Sequence, residues 1–159
     1  MKEIYYTYNN EAIASCVFLE LLQKVGVIDI ARSCLILPFL LDDRTVKYFQ
    51  KLSGKEKISL EYMIKEQSKL FTSFNKRYLS LLPVTINSLL LLNKNNQIGL
   101  TSSEISAKSD FLYGETDMGN RFNEIKKALP FFIRMIENYS TIQLYRIFKL
   151  SLIHIRRCR

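Results

Sequence analysis

The sequence has few of the residues on which most enzymes and metal sites depend. It has a single histidine, His154, in its last six residues, and three cysteines without C-x-x-C spacing, Cys16, Cys34 and Cys158. A catalytic triad, a Cys–His pair or a histidine metal site would all have to use His154. An odd number of widely spaced cysteines predicts neither a disulfide framework nor a zinc site. We therefore expect reduced thiols in a cytoplasmic protein, with no metal.

Glycine and proline are also scarce, at five and three residues, and tryptophan is absent. No glycine-rich phosphate loop occurs, which argues against a nucleotide site of the Walker or dinucleotide type. The longest apolar run, at 35–41, is too short to cross a bilayer, and the N-terminal residues lack the apolar core of a signal peptide. These absences predict a protein that is not an enzyme, binds no cofactor and has no membrane segment.

Hydrophobic residues make up 48% of the 159 residues, enough for one core. Leucine and isoleucine dominate, which is typical of a mainly helical domain. We predict a single helical domain over 1–152 with six or seven helices, and a disordered or non-native tail over 153–159. The net charge is +8, and that tail carries Arg156, Arg157 and Arg159. The basic charge is therefore a weak argument for nucleic acid.

Capping residues predict where several helices begin. Asn9 or Asn10 is expected to start the first helix and Gly26 to end it. Asp42 or Asp43, adjacent and therefore poorly placed as an acid–base pair, is expected to cap another helix. The predicted capping box before the last helix combines Ser140 with Gln143. The three prolines, Pro38, Pro83 and Pro130, are predicted to break helices, and 106–120 to form a mobile loop.

The segment 74–100 is the best patterned part of the chain. It predicts a helix, a break, an apolar helix with Ile86, Leu89, Leu90 and Leu92 facing the core, and a small β-hairpin after residue 97. That order is typical of the end of a winged helix. The apolar helix has only Lys94 as a basic residue and few base-reading side chains, so a helix buried in its own core is favoured over a DNA-reading helix.

Four basic residues could form a patch, namely Arg44, Lys47, Lys76 and Arg77. Solvated helix faces are the usual explanation for such charges.

Four segments resemble one protein family. They are YNNEA at 8–12, LILPFLLDDRTVKYF at 35–49, FNKRYLSLLPVTINSLLL at 74–91 with IGL at 98–100, and TIQLYRIFKL at 141–150. They are similar to the middle component of prokaryotic three-component ABC ATPase systems. The chain matches the family pattern at Asn9, Asn10, Pro38, Arg44, Thr45, Phe74, Arg77, Pro83 and Thr85. It departs at Glu11, where proline is usual, and near Pro130, where a small residue is usual.

The resemblance implies a function and partners, but no catalytic residues. It implies a non-catalytic adaptor that binds an SMC-like or ABC-type ATPase and an effector in an antiphage defence system, with any contact to nucleic acid indirect. The candidate partner-binding or motif residues are Asn9, Asn10, Pro38, Arg44, Arg77, Pro83, Thr85 and Thr141. The residues themselves leave a second function open, that of a stand-alone winged-helix-like protein that binds nucleic acid or regulates.

Overall fold

The computed structural model describes residues 9–52, 59–108 and 118–149, and most of these are helical. The helices are α1 (Glu11–Val25), α2 (Ile30–Ser33), α3 (Ile36–Leu40), α4 (Asp43–Lys51), α5 (Leu60–Glu66), α6 (Ser68–Thr72), α7 (Phe74–Lys94), α8 (Asn120–Glu137) and α9 (Thr141–Ile147). The strands are β1 (Val27–Asp29), β2 (Ile98–Leu100) and β3 (Glu104–Ala107). The predicted mainly helical class is confirmed, while the tail at 153–159 lies outside the described residues.

The three strands form one antiparallel sheet in the order β1-β3-β2. Strands β2 and β3 make the hairpin predicted after residue 97. Strand β1 was not predicted, because three residues are too few to show an alternating pattern. Ile28 of β1 and Leu100 of β2 both lie opposite Ile105 of β3. Ile28, Ile98 and Ile105 are buried, so one face of the sheet packs on the helical core.

The apolar run at 35–41, which could have been strand or helix, forms α3. All five of its side chains are buried. Phe39 is the centre of an aromatic cluster, with ring centroids 4.8 Å from Phe74, 5.3 Å from Phe132 and 5.2 Å from Phe148. Pro38 lies in the first turn of α3, where proline is tolerated, so the prediction that it breaks a helix is wrong. The Phe39 ring of α3 therefore packs against aromatic residues of α7 and α8 and of the turn that follows α9.

Pro83 and Pro130 lie inside continuous helices, so the prediction that they break helices is wrong. Helix α7 runs through Pro83, and α8 runs through Pro130. A proline in a helix interior removes one backbone hydrogen bond and costs about 3 kcal/mol. Burial of an apolar side chain contributes about 1.5–3 kcal/mol, and each of these helices buries several. Packing offsets the local cost.

The helices are divided more finely than predicted, with nine helical segments in the described ranges. Three of these segments, α2, α3 and α6, have only four or five residues. A single turn is too short to show a helical period, so only the packed structure reveals it.

The capping predictions agree with the structure at both ends of the chain. The side chain of Asn10 accepts hydrogen bonds from the amides of Ala12 and Ile13, at 3.0 and 3.3 Å. Gly26 follows α1 with a φ of 79°, a conformation that favours glycine. The capping box of Ser140 and Gln143 is present. The predicted loop at 106–120 lies largely outside the described residues, although 106 and 107 belong to β3.

Candidate functional site

Arg77 of α7 holds the end of α3 from the inside of the domain. Its Nε donates to the carbonyl oxygen of Pro38 at 3.0 Å, and Nη2 donates to that of Leu70 at 2.9 Å. Nη1 donates to Ser73 Oγ at 2.7 Å, and Nη2 lies 3.9 Å from Asp42 Oδ2. Only 11% of the Arg77 side chain is exposed. Arg77 is therefore a structural clamp and not part of a surface basic patch.

Arg121 of α8 binds the connection between α3 and α4, which we call the α3–α4 corner. Its Nη2 donates to Asn9 Oδ1 at 2.8 Å and to the carbonyl oxygen of Leu41 at 3.1 Å. Its Nε lies 3.2 Å from Asp43 Oδ1. Asn9 is buried. Arg121 was not singled out in the sequence, where nothing distinguishes it from the other basic residues.

Asp42 and Asp43 bind different partners, because the side chains of adjacent residues point in different directions. Asp42 Oδ2 accepts from Thr45 Oγ1 at 2.7 Å, and Asp42 Oδ1 lies 3.3 Å from Arg44 Nε. Asp42 is at the N-cap position of α4, but its side chain accepts no backbone amide there. The candidate motif residues Pro38, Arg44 and Thr45 thus all make polar contacts at the α3–α4 corner.

Thr141 connects α9 to the strand β1 and helix α2. Its Oγ1 donates to Asp29 Oδ2 at 2.6 Å and accepts from Arg32 Nε at 3.1 Å. Arg32 also donates to the carbonyl oxygen of Tyr139. Tyr145 OH donates to the carbonyl oxygen of Ala31 at 2.7 Å. These hydrogen bonds join α9 to β1 and α2.

Thr85 is fully buried within α7, and its Oγ1 has no hydrogen-bond partner among the described residues. One turn further along, Ser88 Oγ donates to the carbonyl oxygen of Val84 at 2.7 Å. A buried hydroxyl without a partner costs stability. Pro83, two residues earlier, is exposed on the opposite side of the helix.

The structure thus brings together only some of the candidate residues. Asn9, Pro38 and Arg77 converge on the α3–α4 corner, and Arg44 borders it. Asn10, Pro83, Thr85 and Thr141 lie elsewhere in the domain. In the described ranges, no three acidic, cysteine or histidine side chains are grouped as metal ligands would be.

The comparison with known families decides the assignment. The family model of the ABC-three component (ABC-3C) system Middle Component 3 matches residues 6–151. The chain belongs to this family. The resemblance seen in the four sequence segments is thereby confirmed. Membership in a multi-component ABC system implies partner proteins. No curated protein and no solved structure is matched by the chain.

A groove on this Middle Component 3 chain contains Arg44. The groove has a volume of about 480 Å³ and lies between α4 and the α5–α6 region. Its lining includes Arg44, Lys47, Tyr48, Lys51, Leu52, Tyr62, Glu66, Gln67 and Leu70. Burial, more than the nearby Tyr62 and Glu66, raises the pKa of Tyr48. Within the groove, three cations face one carboxylate, which makes it locally basic.

The outer face of α7 carries apolar side chains in contact with solvent. Leu79, Ile86 and Leu90 are 67%, 48% and 53% exposed, and Pro83 between them is exposed too. We call Leu79, Pro83, Ile86 and Leu90 the α7 outer face. The prediction that Ile86 and Leu90 face the core is wrong, while Leu89 and Leu92 are indeed buried. The spacing of residues 79, 83, 86 and 90 is the sequence signal that marks this face.

The helices of the described segments include none that is long and apolar enough to span a membrane.

Proposed function

We propose that this Middle Component 3 chain is a non-catalytic adaptor that links an ABC or SMC-like ATPase to an effector protein. Membership in a three-component ABC family supports a role with protein partners. The observation that carries the adaptor role is the α7 outer face, an exposed row of apolar side chains on the longest described helix. Exposed apolar surface of this kind marks protein interfaces.

The buried side of α7 suits a scaffold that presents this face in a constant position. Phe74, Leu81 and Leu89 are buried there. Arg77 ties the same helix to α3 through its hydrogen bond to the Pro38 carbonyl, and to the start of α4 through its ion pair with Asp42. A rigid helix loses little conformational entropy when a partner binds, which raises affinity. The inner contacts therefore prepare the outer face for binding.

The same proposal places the adaptor in the bacterial cytoplasm and in antiphage defence. In such a system the adaptor would couple sensing by the ATPase to release of the effector. The partners would supply the catalysis, and the adaptor would bind neither cofactor nor metal.

Co-purification tests the adaptor role. The full chain, carrying an affinity tag, is co-expressed with the products of the genes that flank its own, and the eluate is identified by mass spectrometry. We expect an ABC or SMC-like ATPase in stoichiometric amount, together with an effector. An eluate that contains only the tagged chain, when the flanking products are soluble in the same lysate, overturns the adaptor role.

The basic groove favours a second candidate function, which is binding of nucleic acid by a winged-helix-like domain. Arg44, Lys47 and Lys51 lie on one side of α4, and Tyr48 and Tyr62 offer aromatic rings nearby. The element order, with the hairpin directly after α7 and β1 paired with β3, also fits a winged helix. Phosphate contacts by lysine and arginine give an affinity that falls steeply with salt.

DNA titrations at increasing salt concentration test this second function, because the affinity must then fall steeply with salt. The full chain is titrated with a fluorescent DNA duplex, beside a variant in which Arg156, Arg157 and Arg159 are replaced by serine. If the groove binds DNA, the wild-type chain and the serine-tail variant have equal affinity. The double substitution Arg44→Ser with Lys47→Ser then weakens DNA binding in each of the two proteins. Loss of binding in the serine-tail variant alone assigns the affinity to the tail and removes the groove from consideration.

A further inference from the structure

The α7 outer face has the spacing of a helix-pairing seam. Residues 79, 83, 86 and 90 follow steps of four, three and four, the pattern of alternating seam positions in coiled coils. The seam extends over about 16 Å, or three turns, at about 1.5 Å per residue. Leu79, Ile86 and Leu90 are each about half or more exposed, so the seam is open to solvent. A partner helix of three or more turns matches this length.

The fold itself does not need this seam. Helix α7 buries Phe74, Leu81, Val84, Thr85, Ser88, Leu89 and Leu92 on its other side. These side chains, with the Arg77 hydrogen bonds, already secure α7 in the core. Leucine and isoleucine at 79, 86 and 90 are only partly covered by that packing, and they leave apolar area in water. Their presence is explained if another surface covers them.

The charge beside the seam has one sign along α7. The helix contains no aspartate or glutamate. Lys76 and Lys94 are both exposed, and their separation of 18 residues is five helical turns, so they border the seam on the same edge. Asn87 lies on that edge between them. A partner helix that places acidic residues opposite this edge gains attraction at both ends of the seam.

A depression at the C-terminal end of the seam offers room for one more side chain. It has a volume of about 380 Å³ and is lined by Glu11, Asn87, Leu90, Leu91 and Lys94. Glu11 Oε1 accepts from Asn87 Nδ2 at 3.2 Å, so this neighbouring carboxylate is engaged with the edge of α7. Leu90 and Leu91 form the apolar wall. A large apolar side chain of the partner fits here as an anchor.

A second copy of this chain is a poor occupant. An antiparallel pairing through α7 places Lys76 of one copy beside Lys94 of the other, and a parallel pairing places each lysine beside its own equivalent. Like charges that meet across an interface oppose association. A three-turn seam also covers only part of the roughly 800 Å² per partner that stable dimers bury. The occupant is therefore a different protein.

We propose that the α7 outer face binds an amphipathic helix of a partner protein, with apolar side chains along the seam and acidic side chains facing Lys76 and Lys94. The inference rests on the proposed adaptor function and names the surface and the chemistry of its partner. Helix α7 occupies the position before the hairpin, where a winged helix would read DNA. Here that position presents an apolar seam suited to protein.

Two variants of the full chain test the seam. Leu79→Gln with Leu90→Gln removes apolar area at exposed positions, so folding is preserved, which the thermal midpoint checks. Ile142→Gln is the matched control, because Ile142 is 66% exposed on α9. We expect the double variant to retain less than a tenth of the partner captured by the wild-type chain, and the control to retain all of it. If the double variant and the control capture equal amounts of partner, the α7 outer face is not the binding surface, although the adaptor role still holds.

A designed peptide decides the inference without the natural partner. The probe is a fluorescent 21-residue amphipathic helix with leucine at the seam positions and glutamate beside them, compared with the same peptide carrying lysine. We expect the glutamate peptide to bind the full chain at least ten-fold tighter than the lysine peptide, and Lys76→Glu with Lys94→Glu to reverse that order. Absence of binding by either peptide, or equal binding by both, overturns the proposed chemistry.

Self-association is measured on the same samples by sedimentation. A monomer for both the wild-type chain and the seam variant agrees with a partner of another sequence. A wild-type dimer that the seam variant abolishes shows that a second copy occupies the face, and overturns the proposal. If the wild-type chain captures no partner in the cell, the adaptor role fails, and the peptide result alone decides whether the seam binds an acidic helix.

Discussion

Arg77 of α7 and Pro38 of α3 are joined by a hydrogen bond of 3.0 Å from the guanidinium Nε to the carbonyl oxygen. They are 39 residues apart in the chain, and both are among the candidate motif residues. The bond places a buried positive charge at the C-terminal end of α3. The last carbonyl groups of a helix have no amide donor within the helix, so a cation is favourable there. The charge is balanced by Asp42 at 3.9 Å.

Replacement of Arg77 by alanine is expected to destabilise the domain strongly. It leaves the Pro38 and Leu70 carbonyls without the Arg77 donors and removes the buried cation beside Asp42, which costs about 3 kcal/mol. The free energy of unfolding, measured in urea, reports the loss. Arg44→Ala is the control, because Arg44 is exposed, and a change of about 0.5 kcal/mol or less is expected there. Equal effects of the two substitutions contradict the clamp.

Replacement of Thr85 by valine is expected to stabilise the domain by about 1 kcal/mol. Valine has nearly the shape of threonine but no hydroxyl, so the buried Oγ1 without a partner is removed. Ser88→Ala is the opposite control, because it deletes a hydroxyl that donates to Val84. Urea unfolding of both variants measures the difference. A loss of stability in Thr85→Val would show that its hydroxyl is satisfied in solution.

Replacement of Thr141 by valine is expected to loosen α9. The substitution breaks the hydrogen bonds to Asp29 and from Arg32, with a cost of about 1–2 kcal/mol. Amide hydrogen exchange should rise first in residues 141–147, because local opening precedes global unfolding. Thr72→Val is the control, since Thr72 is exposed and bonds only within α6. Uniform exchange across α9 and α7 would contradict a local effect.

Tyr139 predicts a pH dependence on the alkaline side. Burial, together with the hydrogen bond to Glu61, raises the pKa of Tyr139 from 10.0 to about 12. A raised pKa in the folded state gives stability that is fully present below pH 10 and lost as the pH rises towards about 12. The stability difference between the wild-type chain and Tyr139→Phe, measured in urea across this range, should shrink accordingly. A difference that stays constant contradicts the assignment.

The same hydrogen bond lowers the pKa of Glu61, and its own backbone amide and Ser59 add to that effect. A lowered carboxyl pKa gives stability that is present above the ordinary value of 4.5 and lost as the pH falls through the folded-state value. In Tyr139→Phe, we expect a smaller loss of stability below pH 4.5 than in the wild-type chain, because the folded-state pKa of Glu61 returns towards its ordinary value. An equal loss of stability on acidification in both proteins would show that Tyr139 does not lower the pKa of Glu61.

Local signals predicted local features well. Asn10, Gly26 and the pair Ser140 and Gln143 act within a few residues of themselves, so their roles follow from the sequence alone. The hairpin after residue 97 was predicted for the same reason, because its strands are joined by a short turn. The lone β1 strand was missed, because its partner β3 is about 77 residues away and three residues show no period.

The candidate motif residues show the limit of reading a charge from the sequence. Arg77 and Arg44 look alike in the chain, yet Arg77 is buried against Pro38 and Arg44 borders an open groove. Arg121 also binds a side chain and a backbone carbonyl inside the domain, and it had no sequence signal at all. Whether a cation is buried depends on which carbonyls and carboxylates the packed helices bring near it. That information is distributed over distant segments.

The sequence by itself determined the helical class, the main caps, the hairpin after residue 97 and the family. Each of these depends on composition, short spacing or a recognisable pattern. Only the tertiary structure decided that Pro83 and Pro130 remain inside helices and that Ile86 and Leu90 face outward while Leu89 and Leu92 face inward. Helix α7 has apolar residues on two faces, and α1, α3 and the sheet can cover only one of them. The uncovered face results from that packing.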